Sequence, residues 1–525
     1  MLAPCRVPCT KRNLTLSLLI IVIILNACRS RERELEILAS KGKSLAATYC
    51  QTCHLLPDPS MATKTIWVDH ILPNMGPRLG IFQYNGKAYP SSKNSTQIPK
   101  GFYPDSALIS PEHWQSILYY YGTFAPDSLA PQKRNMPISE KNSLFASNLP
   151  PNQRPNPVAT MVSIDPGSKQ LFWDDGLLGK LFIYDLHLKL KDSIRTGSMI
   201  VDMKKEGDKI LLCDIGIINP NDGRHGRIWL WEGKRKNNKG DSLTLVADSL
   251  RRPVQMVSAD LNQDGMQDLV VCEFGNLLGE LAWLENMGDH KYIKHALREV
   301  PGAIHAIVED FNHDGLPDIW VLFAQGNEGI VLFVNKGHGQ FEAHDILRFP
   351  AIFGSTSFEL ADFNGDGYAD ILYSAGDNAD FSQILKPYHG VYIFLNDGQQ
   401  HFKLKYFYPI HGCFKAMARD FDGDGDLDIA AISYFADYQY QPEEGFVYLE
   451  NKGGLSFEAS SLPEAKSGRW LTMDAGDLDG DGMTDIVIGN FSVGPIPIHP
   501  LQDWKKGPGF LLLKNVGRHK GLSSK

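Results

Sequence analysis

The sequence predicts two domains of different class, a small all-α domain followed by an all-β domain built as a seven-bladed propeller. Three observations carry this. Five Asp-rich nonapeptides begin at Asp260, Asp310, Asp362, Asp420 and Asp477, at spacings of 50, 52, 58 and 57 residues, and such a period is that of a repeat architecture. Each nonapeptide lies between short apolar runs of strand character, such as AIVED and IWVLFA around the second. Ahead of residue 126 the apolar residues instead recur every three to four positions, as Leu35, Leu38, Gly42, Leu45 and Tyr49 do, which is a helical period.

Bulk properties agree. A chain of 525 residues exceeds what one hydrophobic core organises. With 48 Gly and 31 Pro against 43% apolar and 22% charged residues, many short strands and turns are expected. The net charge is −9 and no basic stripe occurs, which argues against a nucleic-acid partner.

The N-terminus places Lys11 and Arg12 before an uncharged apolar run from Leu14 to Leu25, closed by Asn26-Ala27-Cys28. Residues 1–27 therefore read as a signal peptide. Their end resembles a bacterial lipobox, which implies lipidation of Cys28 and a lipid-anchored protein of the bacterial cell envelope, periplasmic or cell-surface. An uncleaved signal anchor is the alternative. The twelve-residue run falls short of the ~20 apolar residues a spanning helix needs.

Residues 28–125 form the predicted helical domain. Cys50, Cys53 and His54 have the Cys-x-x-Cys-His spacing of covalent haem attachment. Two thiols three positions apart each add to one vinyl group of a porphyrin, and the adjacent imidazole ligates the iron. A zinc site needs a second ligand pair, and none follows. Ser110 as N-cap, Pro111 in the first turn, and Trp114, Ile117, Leu118 and Tyr121 on one face predict a closing helix. Together with Gly42 and Leu45 before the motif and GPRLGIF at 76–82, this resembles the class I cytochrome c family. The resemblance implies haem c as cofactor, electron transfer as activity, and a redox partner protein or small-molecule electron donor. For the sixth iron ligand, Met61, His70, Met75 and His113 are available. Met75 is chosen because ILPNMGPRLG sets it on a loop punctuated by Pro and Gly.

Residues 126–156 carry six prolines with little periodicity and read as a semi-rigid linker. The propeller is assigned to 157–517. Each Asp-rich loop is preceded by one apolar run and followed by two more, the last closing on Asn, as in GIVLFVN and GVYIFLN. Three or four strands per repeat make a propeller blade. Two degenerate copies upstream, TMVSIDPGSKQLFWDDG and MIVDMKKEGDKILLCD, bring the number to seven. The repeats resemble the FG-GAP or VCBS family of integrin-α-like propellers, the Asp loops carrying the match.

In the loops, D-x-[DN]-x-D-G-x-x-D places side-chain oxygens at positions one, three, five and nine, with Gly at six for the sharp turn. The ligands would be Asp260, Asn262, Asp264 and Asp268; Asp310, Asn312, Asp314 and Asp318; Asp362, Asn364, Asp366 and Asp370; Asp420, Asp422, Asp424 and Asp428; and Asp477, Asp479, Asp481 and Asp485. Hard oxygen donors without His or Cys suit Ca²⁺, in a structural role. Five such ions would move the net charge of −9 to about +1. The plainer alternative is a metal-free loop held by Asx turns.

Cys213, Cys272 and Cys413 lie in apolar runs and are expected as buried thiols. Gln255, His305, Ser357, Lys415 and Thr472, each five residues before a loop Asp, are expected to face the channel. They vary in type and form no acid–base pair or nucleophile constellation. The function expected is therefore electron transfer, with the propeller docking a partner or substrate. The alternatives are a propeller dehydrogenase passing electrons to its own haem, and a surface module binding glycan or protein through exposed Tyr438, Tyr440 and Trp504.

Overall fold

Alternating β-branched and apolar residues, broken by Gly and Asp turns, lay down 28 strands in seven four-stranded antiparallel sheets. The computed structural model describes residues 33–151, 153–234, 241–379, 384–494 and 503–517. Residues 1–27, expected as a signal peptide, and Cys28 lie outside them. Among the described residues no helix is long and apolar enough to cross a membrane. The chain divides into two compact units. One holds the described residues up to 52 with 58–93 and 100–128; the other holds 53–57, 94–99 and everything from 129 on.

The first unit is helical. Helix α1 covers residues 33–49 and helix α2 runs Pro111–Phe124, with Ser110 Oγ accepting the His113 N–H at 3.2 Å as its cap. Gly42 lets the two helices approach, since a Cβ there would lie 2.0 Å from the Ser116 carbonyl oxygen. Trp114, Ile117 and Tyr121 of α2 are buried, and Tyr121 packs on Trp67 at 4.2 Å between ring centroids. The segment expected as a Met75 loop is helical instead: Leu72–Met75 forms an α-turn and Gly76–Leu79 a 3-10 turn. The α-turn that holds Pro73 follows directly on the five-residue π-turn Trp67–Ile71, which continues into it without a break.

In the second unit the blades are successive meanders. Blade one begins at Ala159–Asp165, two at Ile200–Glu206, three at Pro253–Ala259, four at Ala303–Glu309, five at Ser355–Ala361, six at Cys413–Arg419 and seven at Trp470–Gly476. These seven first strands contact one another in a closed ring. Blade seven takes its fourth strand from Phe145–Asn148, which pairs antiparallel with Phe510–Asn515. Phe145 sits edge-on to Phe421, Phe446 and Tyr448, so the ring is closed by packing as well as by hydrogen bonds.

This corrects the assignment of 126–156 as linker. Beyond the closing strand, Gln132 Nε2 donates to the His389 carbonyl at 2.8 Å, Arg134 pairs with buried Glu444, and Ser139 forms a parallel bridge to Ser460. The prolines interrupt the strand period, yet the backbone between them is pinned to blades five, six and seven.

The channel assignment is also corrected. Every first strand carries a β-bulge at its start, and Met161, Asp202, Gln255, His305, Ser357, Lys415 and Thr472 are the residues that follow it. Four of them staple one blade to the next. Asp202 accepts the Met256 N–H at 2.9 Å, Gln255 accepts that of Ala306 at 2.6 Å, Ser357 accepts that of Ala416 at 3.3 Å, and Lys415 Nζ donates to the Met473 carbonyl at 2.9 Å. Neighbouring first strands share no backbone ladder, so side chains at the bulge supply the seam. Cys213, Cys272 and Cys413 are fully buried, as expected.

Candidate functional site

The five Asp loops join the first and second strands of blades three to seven and have one geometry. The Asp at position one takes the N–H groups of positions five and six on its two oxygens, as Asp260 does with Asp264 and Gly265 at 3.1 and 2.9 Å. The position-five Asp accepts the N–H of position seven, as Asp314 does from Leu316 at 2.9 Å. Gly at position six has φ between +85° and +98°, a region that favours glycine. Position four is left-handed too, and there blades three and four use Gln263 and His313 at φ +62° and +58°. The spacing gave no sign of this second strained position.

Position nine has a further duty. In every loop its carboxylate accepts the N–H of position two and that of the Asn closing the third strand. For Asp370 these are Phe363 at 2.9 Å and Asn396 at 2.8 Å. The closing Asn in turn holds the loop backbone, as Asn335 Nδ2 does by donating to the Pro317 carbonyl at 3.1 Å. Burial pushes Asp428 and Asp485 up to about 6. These Asn residues, read from sequence as turn formers, are the partners of the position-nine Asp.

Carboxylate oxygens lie within 4.8 Å of one another in two groups among the described residues, Asp420 with Asp422 and Asp428, and Asp477 with Asp479 and Asp481. Oxygens alone, converged by backbone N–H groups, fit a hard cation such as Ca²⁺. In blades three, four and five the position-three Asn makes the set less acidic and donates to the position-five Asp, at 3.1, 2.9 and 2.8 Å. The blade-seven loop differs: Lys514 Nζ pairs with Asp479 and holds its carboxyl below the usual range, and Lys169 Nζ lies 2.6 Å from the Asp479 carbonyl.

At the Cys-x-x-Cys-His segment, α1 ends at residue 49 and the Cys50 N–H still bonds to the Ala46 carbonyl at 2.8 Å. Cys50 is half-buried and Cys53 exposed, and neither is in a disulfide. His54 Nδ1 lies 2.9 Å from the Leu55 carbonyl oxygen. A carbonyl only accepts, so Nδ1 carries the proton and Nε2 keeps its lone pair for a metal. This donor set fits covalent haem. Met75 and Met61 are half-buried, His113 likewise, and His70 is exposed.

The aromatic platform expected for glycan does not form. Tyr438 and Trp504 are buried against each other at 4.3 Å between centroids, and Tyr440 alone is exposed, at 74%. They are the core of the insertions in blades six and seven, not their surface. A cavity of about 370 Å³ lies between blades five and six, rimmed by Lys133, Asn135, Tyr406 and Phe457, and holds no acid–base pair.

A family model described as FG-GAP-like repeat matches residues 260–321, 310–373 and 420–488. Among solved structures, the chain is similar to the N-terminal domain of Nup159 at 13% identity, over 73% of this chain and 98% of that one, with a TM-score of 0.42. It is also similar to a chain of a complex described as S. cerevisiae dbp5 bound to nup159, gle1, ip6 and adp, at 12% identity over 73% and 98%, with a TM-score of 0.40. Neither likeness carries an argument about this chain. The repeat match falls on the Asp loops of all five blades from three to seven and on strands around them. The chain thus carries FG-GAP-like repeats folded as a seven-bladed β-propeller, with a small helical unit ahead of it.

Proposed function

We propose that the protein is an exported, lipid-anchored monohaem c-type cytochrome that transfers electrons, with a calcium-stabilised propeller that docks its partner. The observation carrying the haem assignment is His54: its Nδ1 is committed to the Leu55 carbonyl at 2.9 Å, two Cys neighbours are outside any disulfide, and Nε2 is left for iron. The covalent haem c supplies the redox couple. Cys50 and Cys53 tether it, His54 ligates it, and Met75 is the sixth ligand. Lipidated Cys28 holds the protein at the membrane surface of the cell envelope.

Support for calcium is the all-oxygen convergence of the Asp loops, which leaves it a scaffold ion. Support for docking is the scaffold itself, since the long insertions of blades five, six and seven lie on a rigid ring, where binding residues usually sit. The test is expression alongside a c-type haem maturation system, followed by a haem stain on a denaturing gel. The native chain is expected to retain haem, and Cys50→Ser combined with Cys53→Ser to lose it. A native chain without covalent haem sinks the cytochrome reading.

A further inference from the structure

The five Asp loops are alike in sequence, and the residue that precedes the closing Asn of each third strand sets them apart. The position-nine Asp bonds that Asn in every blade, so the preceding residue occupies one equivalent place beside the loop. In blade three it is Glu285, whose carboxylate lies 3.1 Å from Asn262 Nδ2 at position three. In blade six it is Glu450, itself paired with Lys452. Blades four and five have the apolar Val334 and Leu395 there. Blade seven has Lys514, and its ammonium pairs with position-three Asp479.

A second cation reaches the same loop from the next blade. Lys169, in the first turn of blade one, places Nζ 2.6 Å from the Asp479 carbonyl. A Cβ on Gly480 would lie 2.5 Å from that Nζ, so the ammonium sits directly against the loop backbone. Blade one has no Asp loop of its own and contributes a lysine to its neighbour.

We infer that blade seven carries an internal cation, with the Lys514 ammonium standing where Ca²⁺ stands in blades three to six, so that the propeller holds four calcium ions and not five. The inference rests on the reading of the Asp loops as calcium sites. For a divalent ion to enter blade seven it must take Asp479 from Lys514 and then sit a few ångströms from that ammonium, with like charges repelling. In blade three the equivalent carboxylate of Glu285 adds attraction. The ammonium already neutralises Asp479 in this cluster and supplies a positive charge there without metal.

The experiment uses the full chain and two reciprocal variants, Lys514→Leu, which copies blade five, and Leu395→Lys, which copies blade seven. Bound calcium is counted by elemental analysis after equilibrium dialysis. The expected counts are four for the native chain, five for Lys514→Leu and three for Leu395→Lys. Five ions in the native chain, or four in Lys514→Leu, overturns the inference while leaving the calcium reading intact. A count of zero throughout defeats the calcium reading instead, and a melt in chelator then decides the ammonium's role. Lys514→Leu is expected to melt lower than the native chain there, and an equal melting temperature overturns that role as well.

Discussion

Blades one and two share the four-stranded meander of blades three to seven and lack their Asp loops. Where blade four needs eight residues between its first two strands, from Asp310 to Pro317, blade two turns at Gly207-Asp208 between Glu206 and Lys209. Blade one makes a tight Asx turn, with Asp165 accepting the Gly167 N–H at 3.2 Å and pairing with Lys205 of blade two. The Asp loop is therefore not what makes a blade. It is a longer connection whose carboxylates need a counter-charge, and the short turns of blades one and two supply one with lysine or dispense with it.

The largest test of this difference is removal of calcium. A ligand bound by the native state alone stabilises it by about 2.7 kcal/mol per site at a hundredfold excess over Kd, so several sites amount to roughly 10 kcal/mol. Chelation is expected to lower the melting temperature strongly, with hydrogen exchange rising in blades three to six and holding in blades one and two. Uniform exchange across all seven blades would break the comparison.

The seams between blades give the next test, because two of them respond to pH in opposite directions. Asp174 in blade one is fully buried, accepts from Thr160 Oγ1 at 2.6 Å and from the blade-two Ile200 N–H at 3.2 Å, and burial raises its pKa well above the usual range. Its contribution is present at low pH and is lost as pH rises and the carboxyl must ionise. His305 in blade four packs on Phe358 of blade five, and burial lowers it to about 3. Its contribution is present above the ordinary histidine pKa and is lost as pH falls toward 3. At pH 4 this amounts to roughly 2–3 kcal/mol. His305→Gln copies the Gln255 staple of blade three, and is expected to melt higher than the native chain at pH 4 and no higher at pH 7.5. An unchanged acid melt would remove His305 from the account.

What the sequence made legible follows the same division. The Asp loops announced themselves because one turn, with carboxylates and glycine at fixed offsets, recurs five times, and the strands around them because their faces are buried. Three features stayed hidden for physical reasons. Phe145–Asn148 is a four-residue strand among prolines, too short for a period, and it is defined by its partner rather than by itself. The staples at the bulges look like channel residues because a bulge shifts the side-chain direction by one residue, which alternation does not foresee. Tyr438 and Trp504 looked exposed because they sit in long insertions, yet those insertions have a core of their own. The Cys50, Cys53 and His54 triplet was readable only as a spacing, whereas the sixth ligand that a haem held there would need is chosen by tertiary approach, which spacing does not encode.

The smallest expected effect is the sharpest comparison between single residues. Asp420→Ala removes position one of the blade-six loop, which receives the Gly423, Asp424 and Gly425 N–H groups at 2.8, 3.1 and 3.1 Å. In calcium the cost should be one site, about 2–3 kcal/mol. In chelator it should shrink toward the cost of the Asx bonds alone, since the loss of a mutually repelling carboxylate offsets part of it. Asp165→Ala in blade one removes turn bonds from the Gly167 N–H and Ser168 Oγ and a part-buried ion pair with Lys205, worth about 1–2 kcal/mol, and calcium should not change that figure. Thermal melts of the two variants with and without calcium separate the cases. A calcium-independent loss at Asp420 would reduce the loop to an Asx turn, and the blades would then differ only in the length of the connection.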